Sequence, residues 1–310
     1  MTIDHTFLPM LRSPRTMAPL TFEDDALVAT DGDKYRINGN GIPLFAEAFC
    51  SADARRQQAH YDRVAENYLA NLAYPHTQEY MRYLDDRFLA DVDESRLTDV
   101  GEICCGGGEA FQLLGRKVGR GIGLDISESM LDSARRKLPG KNYLFIQGDA
   151  TALPLAESLF DSVFIIGGIH HVNDRRALFQ EIFRVLKPGG RFYWREPVSD
   201  LFLWQWLRAI VYAISPGLDG KTEHPLHYQD TVPVLASVGF QVRSWRTYGF
   251  LGYCFLMNSD ILFFNRLFRY LPGIRALTRA MARFDDWCVR LPGMGRYGLI
   301  VNGVAEKPGD

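Results

Sequence analysis

The chain lacks most of the features that would place it quickly. Its 310 residues contain five cysteines, Cys50, Cys104, Cys105, Cys254 and Cys288, an odd number without zinc-ligand spacing. An adjacent pair inside a glycine turn suits a reduced compartment better than a disulfide framework. The best stretch for a metal, Glu223-His224-Pro225-Leu226-His227-Tyr228, is a His-x-x-His on a proline-containing loop with no cysteine nearby, so no metal site is expected. Neither charge is in excess: Lys+Arg 35 against Asp+Glu 37 leaves a net charge of −2. Without a basic stripe, nucleic acid is not expected as a partner. The start of the sequence, with Asp4 and a broken apolar stretch, lacks the basic and hydrophobic regions of a signal peptide, and a cytoplasmic location is expected. The longest apolar run, Leu201 to Ile214, falls short of the roughly 20 residues a bilayer needs, which argues against stable membrane insertion. No internal repeat or low-complexity tract is present.

Residues 98–125 carry the densest signal. Thr98-Asp99-Val100-Gly101-Glu102-Ile103-Cys104 reads as a buried strand, Cys105-Gly106-Gly107-Gly108 as a turn into a helix, and Gly121-Ile122-Gly123-Leu124-Asp125 as a second strand ending in a carboxylate. Adjacent glycines let the backbone approach a ligand where a Cβ would collide, and the following helix offers free N–H groups. Asp125 lies 19 positions past Gly106, close to the roughly 20 at which an acid ending the second strand grips ribose hydroxyls. These are the parts of a nucleoside-binding half-domain.

With 47% hydrophobic residues the chain can build one large domain with additions, or two small ones. Residues 1–50 read as a small irregular cover with a hairpin over Tyr35–Phe45 around an Asn-Gly pair, and 51–97 as helical. Strand-like segments at 98–104, 120–125, 143–148, 161–166 and 190–196 alternate with helical patterns, which implies a parallel sheet covered on both faces. Strands over 241–247 and 297–304 complete a core that begins at 98 and runs to 248, with 297–310 as final strand and tail. Between them, 249–296 is an apolar helical insertion.

Taken in order, these motifs resemble class I S-adenosylmethionine (SAM)-dependent methyltransferases, and in the core those of quinone biosynthesis. The resemblance covers about residues 60–250. Glu102-Ile103-Cys104-Cys105-Gly106-Gly107-Gly108 matches the family's acidic residue and glycine-rich turn, and Asp125 its ribose acid. Asp149-Ala150, followed by Leu153-Pro154-Leu155, matches the adenine-contacting pair after the third strand. Phe160-Asp161 opens the fourth strand, which ends in Gly167-Gly168-Ile169-His170-His171-Val172, and Leu186-Lys187-Pro188-Gly189-Gly190 matches the turn before the fifth.

The resemblance implies a Rossmann-like, doubly wound α/β sheet of seven strands with an N-terminal helical lid and, in this chain, a C-terminal helical substrate cap. It implies SAM as cofactor and S-adenosylhomocysteine as product. Glu102, Cys104, Gly106, Gly108, Asp125, Ile126, Asp149, Ala150 and Gly167 are then the cofactor residues. His170, His171, Glu196 and Tyr61 of the lid are the catalytic candidates. One position departs from the pattern: the family has glycine where Cys104 stands. A Cβ there is expected to crowd the methionine end of the cofactor or shift the turn, with Gly107 and Gly108 supplying the compensating freedom.

Several residues keep two readings. A buried Glu102 is costly to ionise without a partner, and SAM's ammonium, backbone amides or a water each satisfy it. Cys105 is a small core residue or a nucleophile. His170 and His171 act as general bases or only pack and orient. Glu196 is an acceptor-site acid or the partner of Arg195. Tyr61 and Tyr68 line a lid or form an amphipathic stripe. Arg243, Arg246, Arg266, Arg269, Arg275, Arg279 and Arg283 hold an acidic substrate group or pair with acids such as Asp285 and Asp286.

The aromatic and aliphatic insertion, set above the ligand edge of the sheet, implies a hydrophobic small-molecule acceptor methylated on oxygen or carbon: aromatic, prenylated, quinone-like or lipid-like. Packing of those residues on one another, a homodimer interface and a transient membrane contact stay open as uses of the same surface. Two rivals stand outside this reading. A nicotinamide-dependent oxidoreductase shares the glycine turn but leaves Asp149-Ala150 and the Leu-Lys-Pro-Gly-Gly turn unexplained. A catalytically inactive scaffold of the same fold is motivated by Cys104.

Overall fold

The computed structural model describes residues 3–58, 73–140, 142–207, 224–257 and 263–309. Three short strands come first, β1 (Leu20–Glu23), β2 (Ala26–Ala29) and β3 (Lys34–Arg36), paired antiparallel in chain order. The larger sheet is built from β4 (Asp99–Ile103), β5 (Arg120–Asp125), β6 (Tyr143–Gln147), β7 (Phe160–Ile166), β8 (Leu186–Pro197), β9 (Gln241–Tyr248) and β10 (Ile300–Glu306). Its order is β6-β5-β4-β7-β8-β10-β9. The first five strands are parallel, and β10 lies antiparallel between β8 and β9. The chain direction therefore brings the ends of β4, β5, β6, β7 and β8 to one edge, where an open α/β sheet forms its ligand crevice.

Local sequence explains the elements. Central strands are buried on both faces and read as apolar runs: Val163, Phe164 and Ile165 of β7 are all fully enclosed. Helix Arg175–Val185 buries Leu178, Phe179, Ile182 and Val185 along one side, and the Asp174 carboxylate caps it by accepting from the Ala177 N–H at 2.9 Å. Ser127 caps helix Glu128–Lys137 in the same way.

Two differences from the sequence expectation have physical causes. Residues 20–36 form a meander rather than an irregular lead-in, from strands of three or four residues, too short for a periodic signal. The small hairpin expected over Tyr35–Phe45 is present, with an antiparallel Ile37–Pro43 bridge flanked by the Asn38 N–H to the Ile42 carbonyl and the Leu44 N–H to the Arg36 carbonyl. Residues 43–45 also run along β6, pairing with Gln147 and covering an open sheet edge. Leu186 to Gly190 is not a turn before a strand: β8 begins at Leu186 and absorbs the Pro-Gly-Gly step as a bulge, with Gly189 at φ +74°.

Away from the crevice wall, helix Pro75–Leu89 packs against Ile274–Arg290 and Leu251–Met257. Asp285, fully buried, accepts the Tyr80 hydroxyl at 2.5 Å and the N–H groups of Gly252 and Tyr253 at 2.8 and 2.7 Å. Asp286 takes the Tyr83 hydroxyl, Arg87 and Arg290, while Glu79 takes Arg279 at 3.1 Å and Arg275 at 3.7 Å. Arg243 and Arg246 pair with Glu306 and Asp91. Of the arginines singled out in the sequence, these four therefore pair with acids, but Asp285 serves amides and a phenol instead. Among the described residues no helix is long and apolar enough to cross a membrane.

Candidate functional site

A cavity of about 220 Å³ opens at the ends of β4, β5, β6 and β7. Asp125, the last residue of β5, stands on its wall with Oδ2 accepting the Gly106 N–H at 2.8 Å and Oδ1 the Ser127 N–H at 2.9 Å. This carboxylate thus fixes the glycine turn and the next helix start together. Asp149 accepts from Thr151 through both its N–H and hydroxyl, at 2.8 and 2.7 Å, and from the Ser51 N–H at 2.8 Å. Burial works to raise its pKa, but the Thr151 and Ser51 hydrogen bonds outweigh it, and the net shift is downward. Asp149 stays ionised and lines the cavity as a hydrogen-bond acceptor. Leu124, Ile126 and Met130 supply apolar wall between the two carboxylates.

The wall has one sign. Asp53, Glu109, Asp125, Asp149 and Asp174 all line it, and among the described residues no lysine or arginine does. Such a wall favours a ligand carrying ammonium and sulfonium charges and opposes a pyrophosphate. Glu109, at the start of helix Glu109–Leu114, has its pKa raised by burial, with Arg195 and Lys137 opposing.

Cys104 sits on this wall with φ +52°, the left-handed region that glycine occupies freely and a side chain only under strain. Room for its side chain comes from across the crevice: a Cβ built on Gly168 would lie 2.4 Å from the Cys104 Cβ. Gly168 at the end of β7 thus makes the room for this side chain, while Gly108 holds a left-handed φ of +78° in the turn itself. Burial, with Asp125, Glu196 and Asp149 adding to it, drives the Cys104 thiol well above its ordinary pKa, so it is a neutral packing group.

Glu196 is fully buried near the end of β8 and does not pair with Arg195, which binds Asp85 at 2.6 Å. Its Oε1 accepts the N–H groups of Gly168 and Ile169 at 2.7 and 2.8 Å, and its Oε2 lies 2.7 Å from His170 Nδ1. A proton on Nδ1 donated to this carboxylate leaves His170 Nε2 as the basic nitrogen. The His170 and His171 rings are 3.8 Å apart, and His171 lines the cavity.

The structure brings Cys104, Gly106, Asp125, Ile126, Asp149, Ala150, Gly167 and His171 onto one wall. Glu102 stands beneath it, accepting the Ala110 and Phe111 N–H groups at 2.7 and 3.0 Å. Gly108 forms the left-handed start of that helix, and His170 and Glu196 stand behind the wall. Tyr61 and Tyr68 lie outside the described residues, as do 208–223, with most of the apolar run after Leu201, and 258–262. Among the described residues, none of 249–296 reaches the cavity; Ser51, Asp53, Ala54 and Gln57 do. Those four, with Glu109 and Asp174, escaped the sequence reading. The one usable signal was the acid that opens each following helix.

Fold and wall together define a class: an α/β protein with a nucleoside crevice at the strand ends, built for a cationic ligand. Residues 101–194 match the family model of a methyltransferase domain. Over 96 residues the chain is 46% identical to the demethylmenaquinone methyltransferase of Lactococcus lactis subsp. lactis, covering 29% of this chain and 38% of that one. A longer match, 28% identical over 218 residues, covers 62% of this chain and 91% of the demethylmenaquinone methyltransferase of Lactiplantibacillus plantarum. Among solved structures, an S-adenosylmethionine-dependent methyltransferase from Thermotoga maritima aligns with a TM-score of 0.55 at 17% identity, over 81% of this chain and 99% of that one, a likeness of fold. The chain spans about two fifths of the length of the first curated relatives it matches, 38% and 40%. Its core is similar to class I SAM-dependent methyltransferases, and the sequence likeness falls on those of quinones.

Proposed function

We propose that the chain transfers a methyl group from SAM to an oxygen or carbon of an apolar, quinone-like or related aromatic acceptor. The observation that carries this reading is the cavity wall, with the carboxylates of Asp125 and Asp149 at the strand ends and no cationic side chain among its described residues. Asp125 would hold the ribose hydroxyls, Asp149 the adenine amine, and the turn at Gly106 and Gly167 the methionine end. SAM supplies a methyl group already activated on a sulfonium, so the protein's work is alignment and exclusion of water. Residues 51–97 act as a lid: the Ser51 N–H anchors helix 52–58 to Asp149 at the cavity rim. Residues 249–296 act as a cap braced on that lid through Tyr80 and Asp285. One of His171, which lines the cavity, and His170, held behind it through Nδ1 by Glu196, would take a proton from the acceptor, before transfer for an oxygen and after it for a ring carbon. The acceptor class follows the relatives, which are named for demethylmenaquinone.

The test is label transfer from methyl-labelled SAM to short-chain naphthoquinols. The acceptor is expected to carry label, and Glu196→Gln to lower kcat about 100-fold and alter the acid limb of its pH profile, with KM for SAM unchanged. A second reading, a non-catalytic protein of this fold, is favoured by Cys104 alone, whose side chain stands at a left-handed turn position where the resembled family's pattern has glycine. Unlabelled acceptors together with intact cofactor binding would decide for it.

A further inference from the structure

The most unusual surface of this molecule lies outside the cavity, on helix Ile274–Arg290 and the segment before it. At about 100° per residue, Leu277, Phe284, Leu291 and Trp287 fall within an arc of about 80°. All four are exposed, Trp287 by 58%. The adjoining arc on one side holds the residues packed inward, among them Ile274, Thr278 and Asp285. Beyond the apolar arc on the other side come Arg283, Arg290, Arg279 and Arg275. The preceding turns add Leu267 and Tyr270, exposed by 63% and 69%, beside exposed Arg266 and Arg269. A water-facing helix has no use for two exposed aromatic rings in consecutive turns.

Charge identifies the occupant. Residues 249–296 contain seven arginines, no lysine and three aspartates, a net charge of +4 on a chain whose total is −2. Two of those aspartates, Asp285 and Asp286, are turned inward, 0% and 8% exposed. Arg275 and Arg279 are paired with Glu79 and Arg290 with Asp286, so the charge this face offers beside its apolar rings is that of Arg266, Arg269 and Arg283, for which no acid partner is found among the described residues. A second copy of the chain is a poor fit, because a two-fold interface sets the patch against itself and brings arginines onto arginines. An interfacial lipid surface fits both halves: rings and leucines enter the headgroup boundary while guanidiniums meet anionic phosphates.

We propose that this face docks the protein onto the surface of an anionic phospholipid bilayer, without spanning it. The inference goes beyond the methyl-transfer reading and does not depend on it, since the face lies apart from the cavity. Docking would set a soluble enzyme beside a reservoir of apolar molecules.

Co-sedimentation of the full chain with vesicles of phosphatidylcholine, alone or mixed with phosphatidylglycerol, tests this directly. The protein is expected to pellet with the mixed vesicles and to be released by salt. The Phe284→Ser, Trp287→Ser double variant should lose roughly tenfold or more in partitioning onto either vesicle. Arg266→Glu with Arg283→Glu should lose binding to the anionic vesicles alone. Titration of each variant with S-adenosylhomocysteine checks its fold and keeps this test separate from the enzymatic one. The proposal is overturned if the wild-type chain stays in the supernatant, if the ring variant binds as well as wild type, or if the chain is a stable dimer that the ring variant dissociates.

Discussion

The crevice end of the sheet and the helical unit of 75–89, 251–257 and 274–290 both bury carboxylates against the starts of helices. At the crevice, Glu102 accepts two N–H groups only eight and nine positions along the chain. In the helical unit, Asp285 accepts two N–H groups and also a phenol 205 positions away. The first device is local and shapes a turn. The second joins distant segments, so the helical unit stands or falls together, whereas the crevice is assembled from strand ends the sheet already fixes. Their outer surfaces differ as well, carboxylates lining the one and arginines covering the other.

The comparison is broken most forcefully at Asp285. Asp285→Ala strands the Tyr80 hydroxyl and two buried amides, and is expected to cost about 3–5 kcal/mol of stability in urea unfolding. Hydrogen exchange should show 75–89 and 251–257 loosening together; loosening of 251–257 alone would contradict the coupling. Glu102 gives a smaller effect with a pH signature. Burial pushes its carboxyl from the ordinary 4.5 up to about 8, against the pull of the two amides. The folded state then holds a proton that the unfolded chain has released, so stability is greatest below about 4.5 and falls as the pH rises to about 8. Glu102→Gln, which sets an amide NH₂ against one of the two backbone donors, should cost about 1–3 kcal/mol and flatten that slope. An unchanged slope would assign it to other groups.

The finest contrast concerns Cys104 and Gly168. Gly168→Ala forces a Cβ into the space of Cys104 and is expected to cost about 1–2 kcal/mol. Adding Cys104→Gly should restore most of it, because the double variant only moves the methyl across the crevice. A double variant no better than Gly168→Ala would mean that Gly168 has another role.

Legibility followed the same divide. The core strands and the positions of Asp125 and Asp149 could be read because buried apolar runs end in glycine turns and acids at fixed spacing. β5 is found over 120–125, as its pattern predicts. Glu109 and Asp53 could not be read, because a helix's first turn reaches the wall only after the sheet has set its angle. The partner of Glu196 was also out of reach: adjacency in sequence favours Arg195, but neighbouring strand residues face opposite sides, and Glu196 turns to His170 while Arg195 turns to Asp85. The meander at 20–36 and the bulged start of β8 were hidden by short strands and by a proline that sits where the pairing with β7 is interrupted by the bulge.

Calorimetric titration with S-adenosylhomocysteine, run beside NADH and repeated on Asp125→Ala, tests the central claim most directly. The acidic crevice predicts micromolar binding of S-adenosylhomocysteine, none of NADH, and about 100-fold weaker binding in the variant, the cost of removing a charged acceptor that also anchors Gly106. Binding of NADH, or a folded, ligand-free protein that ignores S-adenosylhomocysteine, would contradict it.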